Sequence, residues 1–250
     1  MVFPVPNVLL IPYGTAEWSM DGIGIVGFTA GGLRLRTAFP CAAVDRAARE
    51  PLRLNNSRYD RAFAPTTPAD ATDQAGLVRD YLKGLCRPWD NLATQFLDTY
   101  FQFLSDLIDE QRDVLTERLA PYAGLYDYKD WLYSAPTPLP RAHLHAPQNA
   151  GAAAAPGGAA DFVRVDFAFW LGDRLVAAQS AGSALTPKKA REQADRLRLA
   201  GIDVVSFGAA DLAGGKARDL FTRVLGSSGL VFWESDVLPS GPFRTSLLDK

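Results

Sequence analysis

The chain has 250 residues, of which 48% are hydrophobic and 22% charged, and its net charge at pH 7 is −2. This composition predicts a globular protein with room for a large core. The sequence contains no run of ~18 apolar residues, so it predicts no membrane span. The apolar start, MVFPVPNVLLIPYG, lacks the basic residues and cleavage site of a secretory signal. The two cysteines, Cys41 and Cys86, show no disulfide or zinc spacing, so we expect buried free thiols and a cytoplasmic protein.

The first 90 residues predict a strand-rich region with locally excess positive charge. Three short β-type runs, VLLIPY, GIGIVGF and LRLRTAF, are separated by glycines. The GIGIVG stretch has the letters of a dinucleotide-binding loop, but no helix follows it, so we interpret it as strand and turn. Seven arginines and three acidic residues lie between positions 34 and 61. Arg34 and Arg36 are therefore candidates for phosphate contact, with a solvated basic face as the alternative.

A helix and a proline-rich connector follow. Apolar residues recur at helical spacing from Leu92 to Leu115, and Pro121 is expected to end this helix. The segment LYSAPTPLPRAHLHAP contains too many prolines for a central strand. Its His143 and His145 lack further ligands at zinc spacing, so we interpret them as surface histidines. Residues 146–160, rich in alanine and glycine, predict a flexible segment.

Residues 162–225 predict an ordered α/β unit. Two strands, 162–170 and 175–181, are joined by a short turn, LGDR. Thr186 predicts the cap of a helix that stops at Gly201. IDVVSF then predicts a buried strand, and a second amphipathic helix follows it. The predicted order is helix, strand, strand, helix, strand, helix.

Asp166 interrupts an otherwise apolar strand. Alternation places Arg164 and Ala168 on its face, and the opposite face is apolar: Val163, Val165, Phe167 and Phe169. A carboxylate there is costly to bury unless it is paired or binds a cation. One interpretation is an Asp hydrogen-bonded to an arginine or a backbone amide. The other is half of a metal site shared with Gln179 on the second strand.

This arrangement resembles the PD-(D/E)XK nuclease superfamily. Its members build their site on a helix, a strand hairpin that carries Asp and then Glu-x-Lys or Gln-x-Lys, a second helix and a further strand. Asp166 and Gln179 match the Asp and Gln of the D…QxK variant, and RLRLAGIDVVSF is similar to the helix-to-strand passage of RecB-like relatives. The resemblance covers about residues 92–225. It implies an α/β, restriction-endonuclease-like core in a domain spanning 91–250, beside the N-terminal region 1–90.

The resemblance also implies a site for phosphodiester hydrolysis. Oxygen ligands for Mg²⁺ or Mn²⁺ would come from Asp166, the side-chain amide of Gln179 and the carbonyl of Ser180. Glu110 would supply a further ligand from the first helix, with Glu117 as the second choice. A lysine at position 181 would orient the attacking water and help it to lose a proton.

Position 181 holds alanine instead of that lysine. Either the chain is a natural pseudonuclease, or the lysine was replaced to trap an uncleaved complex; the regular strand and the intact Asp166 favour replacement. Lys188 and Lys189, from the following helix, are candidates to stand in for the lysine or to contact nucleic acid.

We therefore expect a divalent-metal-dependent DNA endonuclease, with DNA favoured over RNA, that is inactive through Ala181. Fold-level analogy suggests an effector of a prokaryotic defence system. The alternative is a catalytically silent nuclease-like subunit that binds nucleic acid or a partner protein, and a third is a non-nucleolytic fold with a paired Asp166. No membrane partner is expected.

Overall fold

The structure is a computed structural model that describes residues 8–17, 22–29, 32–54, 74–147, 161–181, 186–234 and 238–239. Its strands are β1 (Val8–Pro12), β2 (Ile23–Thr29), β3 (Gly32–Thr37), β4 (Cys41–Asp45), β5 (Leu139–Pro140), β6 (His143–His145), β7 (Phe162–Arg164), β8 (Phe167–Trp170), β9 (Leu175–Ser180) and β10 (Asp203–Phe207). Its α-helices are α1 (Gln74–Gly84), α2 (Asn91–Glu110), α3 (Arg112–Leu119), α4 (Pro187–Leu199) and α5 (Lys216–Leu230). None of the helices in these described ranges is long and apolar enough to cross a membrane. Most of the predicted flexible segment, 148–160, lies outside the described residues.

The central sheet has four strands in the order β10-β9-β8-β5. β8 is antiparallel to both β5 and β9, whereas β9 and β10 are parallel and are joined through α4. The sheet is therefore mixed, and the predicted α/β class is confirmed. β5 carries Pro140 at the edge of the sheet, where a missing N–H is tolerated. The predicted buried strand, β10, lies at the other edge, and within its bounds only Phe207 is buried.

The sheet is the middle of three layers. On one face Phe167 and Phe169 pack against α2 and α5, and the ring of Phe96 stacks on that of Phe167 with centroids 4.3 Å apart. The opposite face is covered by α4 and by the β1–β4 pair. Its buried cluster includes Ala168, Ala177, Leu197, Ile11 and Val44. Residues from the strand-rich N-terminal region thus share a core with the central sheet.

The predicted helix over 92–120 is two helices, so the prediction of one continuous helix is wrong. The Asp90 carboxylate caps α2 by accepting the N–H of Ala93 at 3.0 Å. α2 ends at Gln111, whose backbone (φ −103°, ψ 12°) leaves helical geometry. α3 begins at the next residue, and its Leu115 is fully buried in the same core as the apolar residues of α2.

The strand predicted over 162–170 is divided at Asp166. β7 pairs with β6, whereas β8 pairs with β9 and β5. Val163 and Val165 pack on the α4 face, but Phe167 and Phe169 pack on the α2 face. The prediction that these four side chains share a face is wrong, because the bend at Asp166 shifts the alternation by one residue.

Other local predictions are confirmed. The GIGIVG stretch lies in the antiparallel β2–β3 hairpin. Cys41 and Cys86 are buried and are not joined in a disulfide. Thr186 caps α4 by accepting the N–H of Lys189 at 3.4 Å, and the chain turns at Gly201 with φ 76°.

Candidate functional site

A cavity of about 750 Å³ lies where β9 and β10 end and β8 begins. The end of β9 contributes Gln179, Ser180 and Ala181, while Asp166 borders the cavity just before β8 and Ser206 lies across from them on β10. α4 forms the other wall. In open α/β sheets, ligands bind at the carboxyl ends of parallel strands, which is where this cavity lies. The hairpin residues that the sequence singled out therefore share one cavity, here called the Asp166 cavity.

Asp166 is tied to the second strand of the hairpin. Its Oδ2 accepts the backbone N–H of Ser180 at 2.6 Å. Continuing the β8–β9 register by one residue beyond Phe167 and Ala178 places Asp166 opposite Gln179. Oδ1 accepts no hydrogen bond from any residue that the structure describes, and the half-buried side chain lines the cavity. The amide-bound interpretation of Asp166 thus accounts for one carboxylate oxygen and leaves the other available.

Gln179 and position 181 point the same way. The N–H of Ala181 donates to the carbonyl of Phe207 at 2.7 Å, so pairing with β10 continues past the end of β9. Side chains two residues apart on an extended chain share a face. Gln179 is half-buried and its amide makes no hydrogen bond within the described part of the chain, and Ala181 is exposed. A longer side chain at 181 therefore has room beside Gln179.

The helix wall of the cavity is basic. The guanidinium of Arg198 pairs with Asp195 at 2.9 Å, whereas Arg191 is exposed and forms no hydrogen bond or ion pair with the described residues. Arg164, before β8, adds a third guanidinium to the cavity lining, which also includes the two carboxylates of Asp166 and Asp195. Arg191 and Arg198 were not predicted, although cavity-lining positions 187, 190, 191, 194 and 198 have the spacing of one helix face.

The two predicted lysines lie outside this cavity. Lys188 is 87% exposed, with its ammonium 3.9 Å from Glu192. Lys189 lines a second cavity of about 740 Å³ between β7 and the other flank of α4. Gln193 separates the two cavities by donating from Nε2 to the carbonyl of Arg164 at 2.6 Å. Neither lysine lines the cavity beside Ala181.

The other predicted site residues lie elsewhere. Both carboxylate oxygens of Glu110 accept hydrogen bonds from Arg218 of α5, at 2.6 and 2.7 Å, and this pairing lowers the pKa of Glu110. Glu110 is thus held at the α2–α5 contact rather than at the Asp166 cavity. Glu117 is exposed on α3, and Arg36 is exposed on β3; the side chain of Arg34 lies outside the described residues.

A group of basic residues borders Asp166 on the side away from β9. His143 of β6 is the cross-strand partner of Arg164, and it is half-buried rather than a surface residue as predicted. Burial lowers the pKa of His143 to about 4, with further lowering from Arg164 and Arg141. The imidazole is therefore neutral at pH 7. The N–H of Arg141 donates to the carbonyl of Asp166 at 2.7 Å, which connects this group to the cavity.

The donors at the cavity are suited to a hydrated hard cation. In the described ranges, no group of three or more His, Cys, Asp and Glu side chains is placed to hold a metal ion. Oδ1 of Asp166 and the amide oxygen of Gln179 are oxygen donors of the kind that Mg²⁺ accepts while it keeps several waters. These two oxygens alone do not make a metal-binding group, and a cation held there would need water for its remaining ligands.

Comparison with protein-family models, curated proteins and solved structures finds no match to this chain.

Proposed function

We propose that this chain is a nuclease-like domain that binds the DNA backbone in the Asp166 cavity without cleaving it. The observation that supports this proposal is the meeting of Asp166, Gln179 and Ala181 with the arginines of α4 in one cavity. The succession α2, β8, β9, α4 and β10 also follows the order of elements in the nuclease superfamily that the sequence resembles. DNA is the proposed substrate class, in preference to RNA.

Phosphate is the chemical group that the cavity fits. Arg164, Arg191 and Arg198 present planar guanidinium groups, which bind phosphate oxygens through paired hydrogen bonds. Asp166 and Asp195 leave the lining with a net charge of about +1. A bound Mg²⁺ or Mn²⁺ would supply further positive charge and polarise a phosphate oxygen.

Ala181 explains why binding is proposed without hydrolysis. Hydrolysis needs a group that removes a proton from the attacking water. A methyl group at 181 cannot do so, and the two lysines of the first α4 turn line no part of this cavity. The chain would then act as a binding subunit, for which a role in a prokaryotic defence complex with a protein partner is proposed on fold analogy alone.

The binding half of the proposal is tested with labelled DNA. The double substitution Arg191→Ala/Arg198→Ala should weaken binding and reduce the slope of log affinity against log salt by roughly one to two units. Arg223→Ala is the matched control, because Arg223 is an exposed helical arginine on α5, on the other side of the sheet. Equal affinity and slope for the double variant and the control would refute DNA binding in this cavity.

The hydrolytic half is tested by Ala181→Lys. An ammonium group beside Gln179 should produce Mg²⁺-dependent cleavage, since general-base and electrostatic assistance accelerates such steps by on the order of 10² to 10⁴. Asp166→Asn, introduced into the same variant, should abolish the cleavage while keeping an oxygen to accept the Ser180 N–H. A folded Ala181→Lys protein that binds DNA yet leaves it intact would show that the site does not derive from a nuclease.

A further inference from the structure

A rigid turn between α1 and α2 presents Trp89 to solvent. The N–H of Asp90 donates to the carbonyl of Arg87 at 2.9 Å, and Pro88 occupies the second position of this four-residue turn. Asp90 then caps α2, so the turn is fixed at its helical end as well. Trp89 is 74% exposed, whereas the other tryptophans in the described ranges are buried. Because the backbone of the turn is already held by hydrogen bonds, little backbone entropy is lost when the indole binds a partner.

Leu85, just before this turn, lies against Gly14, which is hydrogen-bonded to Arg141. A Cβ added to Gly14 would lie 3.2 Å from Leu85 Cδ2. The N–H of Gly14 donates to the carbonyl of Pro140 at 2.8 Å, and Arg141 Nε donates to the carbonyl of Gly14 at 3.3 Å. The guanidinium carbon of Arg87, two residues beyond Leu85, lies 5.8 Å from the centroid of the Trp89 ring. Gly14 therefore contacts both Leu85, which leads into the turn, and Arg141.

Arg141 connects the turn to the Asp166 cavity. Its backbone has a φ of 51°, which is unfavourable for a residue other than glycine, and its N–H donates to the carbonyl of Asp166. Burial lowers the pKa of Arg141, and the positive charges of Arg87 and Arg164 lower it further. The guanidinium groups of Arg87 and Arg164 thus lie close enough to repel that of Arg141, and the carboxylate of Asp90 offsets part of this repulsion. Their mutual repulsion would be relieved by a bound polyanion.

We infer that Trp89, with Arg87, Arg141 and Arg164, binds an unpaired stretch of DNA that continues into the Asp166 cavity. This inference rests on the proposed function and narrows its substrate to single-stranded DNA or an unpaired end. One base stacks on the exposed indole, and the arginines contact the phosphates beside it. Arg164 also lines the cavity, so it is the point where the two surfaces meet. A duplex stacks its bases on one another and offers the indole no free base.

The test compares three anions on the full chain: a 12-nucleotide thymidine single strand, a duplex of the same length and inorganic polyphosphate. Trp89→Leu should weaken binding of the single strand roughly 5- to 100-fold. It should leave polyphosphate binding unchanged, because polyphosphate has no base to stack. Trp89→Phe, which keeps an aromatic face, should retain most of the affinity. Leu125→Ala, at a residue that is 57% exposed, is the control and should change nothing.

A second measurement uses the indole itself. The single strand should quench the tryptophan emission of the natural chain, and Trp89→Phe should remove that quenching. Wild-type affinity for the single strand in Trp89→Leu, an equal loss of polyphosphate binding, or a preference for duplex would each overturn the inference. If Arg191→Ala/Arg198→Ala still weakens DNA binding in that case, the proposed function stands without the inference. If neither variant loses affinity, both are wrong.

Discussion

Replacing Asp166 by alanine should destabilise the folded protein and remove a carboxylate from the lining of the Asp166 cavity. The bond from the Ser180 N–H to Oδ2 is 2.6 Å long and has a carboxylate as acceptor, and hydrogen bonds to charged groups contribute about 1.5–3 kcal/mol. Both residues are half-buried, so we expect the low end, a loss of about 1.5 kcal/mol in the free energy of unfolding. For a chain of this length that corresponds to a decrease in Tm of about 3–6 °C. Asp166→Asn keeps an acceptor oxygen and should lose less than half as much.

Urea unfolding followed by circular dichroism at pH 7 measures these differences. Asp173→Ala is the control, because Asp173 is an exposed aspartate in the β8–β9 turn that makes no hydrogen bond with the described residues. If Asp166→Ala is as stable as this control, the bond to Ser180 contributes nothing.

Three further substitutions or modifications test particular features of the structure. Burial and neighbouring guanidinium groups lower the pKa of His143 to about 4. As pH drops, the unfolded chain therefore protonates this imidazole before the folded chain does, and the free energy of unfolding should fall between about pH 6.5 and about pH 4. Urea unfolding at a series of pH values should show a flatter pH dependence for His143→Gln. Burial raises the pKa of the Cys86 thiol to about 12. The thiol should therefore react with a thiol reagent at pH 8 only after urea unfolds the protein, and rapid labelling of Cys86 in the folded protein would contradict this expectation. Gly172→Ala should lower the free energy of unfolding more than Gly201→Ala does. Gly201 lies at φ 76° in open space, so alanine there costs about 1–2 kcal/mol, whereas a Cβ at Gly172 would also collide with the carbonyl oxygen of Arg49. Equal melting temperatures for the two variants would argue against that collision.

Elements with a local physical cause were predictable from the sequence. The hairpin of β8 and β9 follows from two apolar runs around Gly172, whose φ of 94° suits a tight turn. α4 follows from a threonine cap with proline in its first turn and from Gly201 at its end. The buried side of α5 follows from apolar residues at helical spacing, Leu220, Phe221, Val224 and Leu225. Each signal lies within a few residues of the element that it specifies.

Features that depend on distant contacts were not predictable. α1 was not predicted, and its buried Val78 and Leu82 belong to the core cluster that residues of α2 also form. The break at Gln111 has no proline or glycine to mark it. The pairing of Glu110 with Arg218 joins residues 108 positions apart, so a sequence pattern that makes Glu110 a plausible ligand cannot show that its charge is already neutralised.

The same limit explains why the sequence offered two interpretations of Asp166. An isolated carboxylate in an apolar strand indicates only that some partner must exist, because burying it alone would cost several kcal/mol. In the structure Oδ2 accepts the Ser180 N–H, whereas Oδ1 accepts no hydrogen bond from the described residues and the side chain lines the cavity shared with Gln179 and the α4 arginines. Under the proposed function, stability and DNA affinity should therefore separate in Asp166→Asn. The variant keeps most of its stability because it retains an acceptor for the Ser180 N–H, and it loses the proposed cation-dependent part of DNA affinity because it loses the charge.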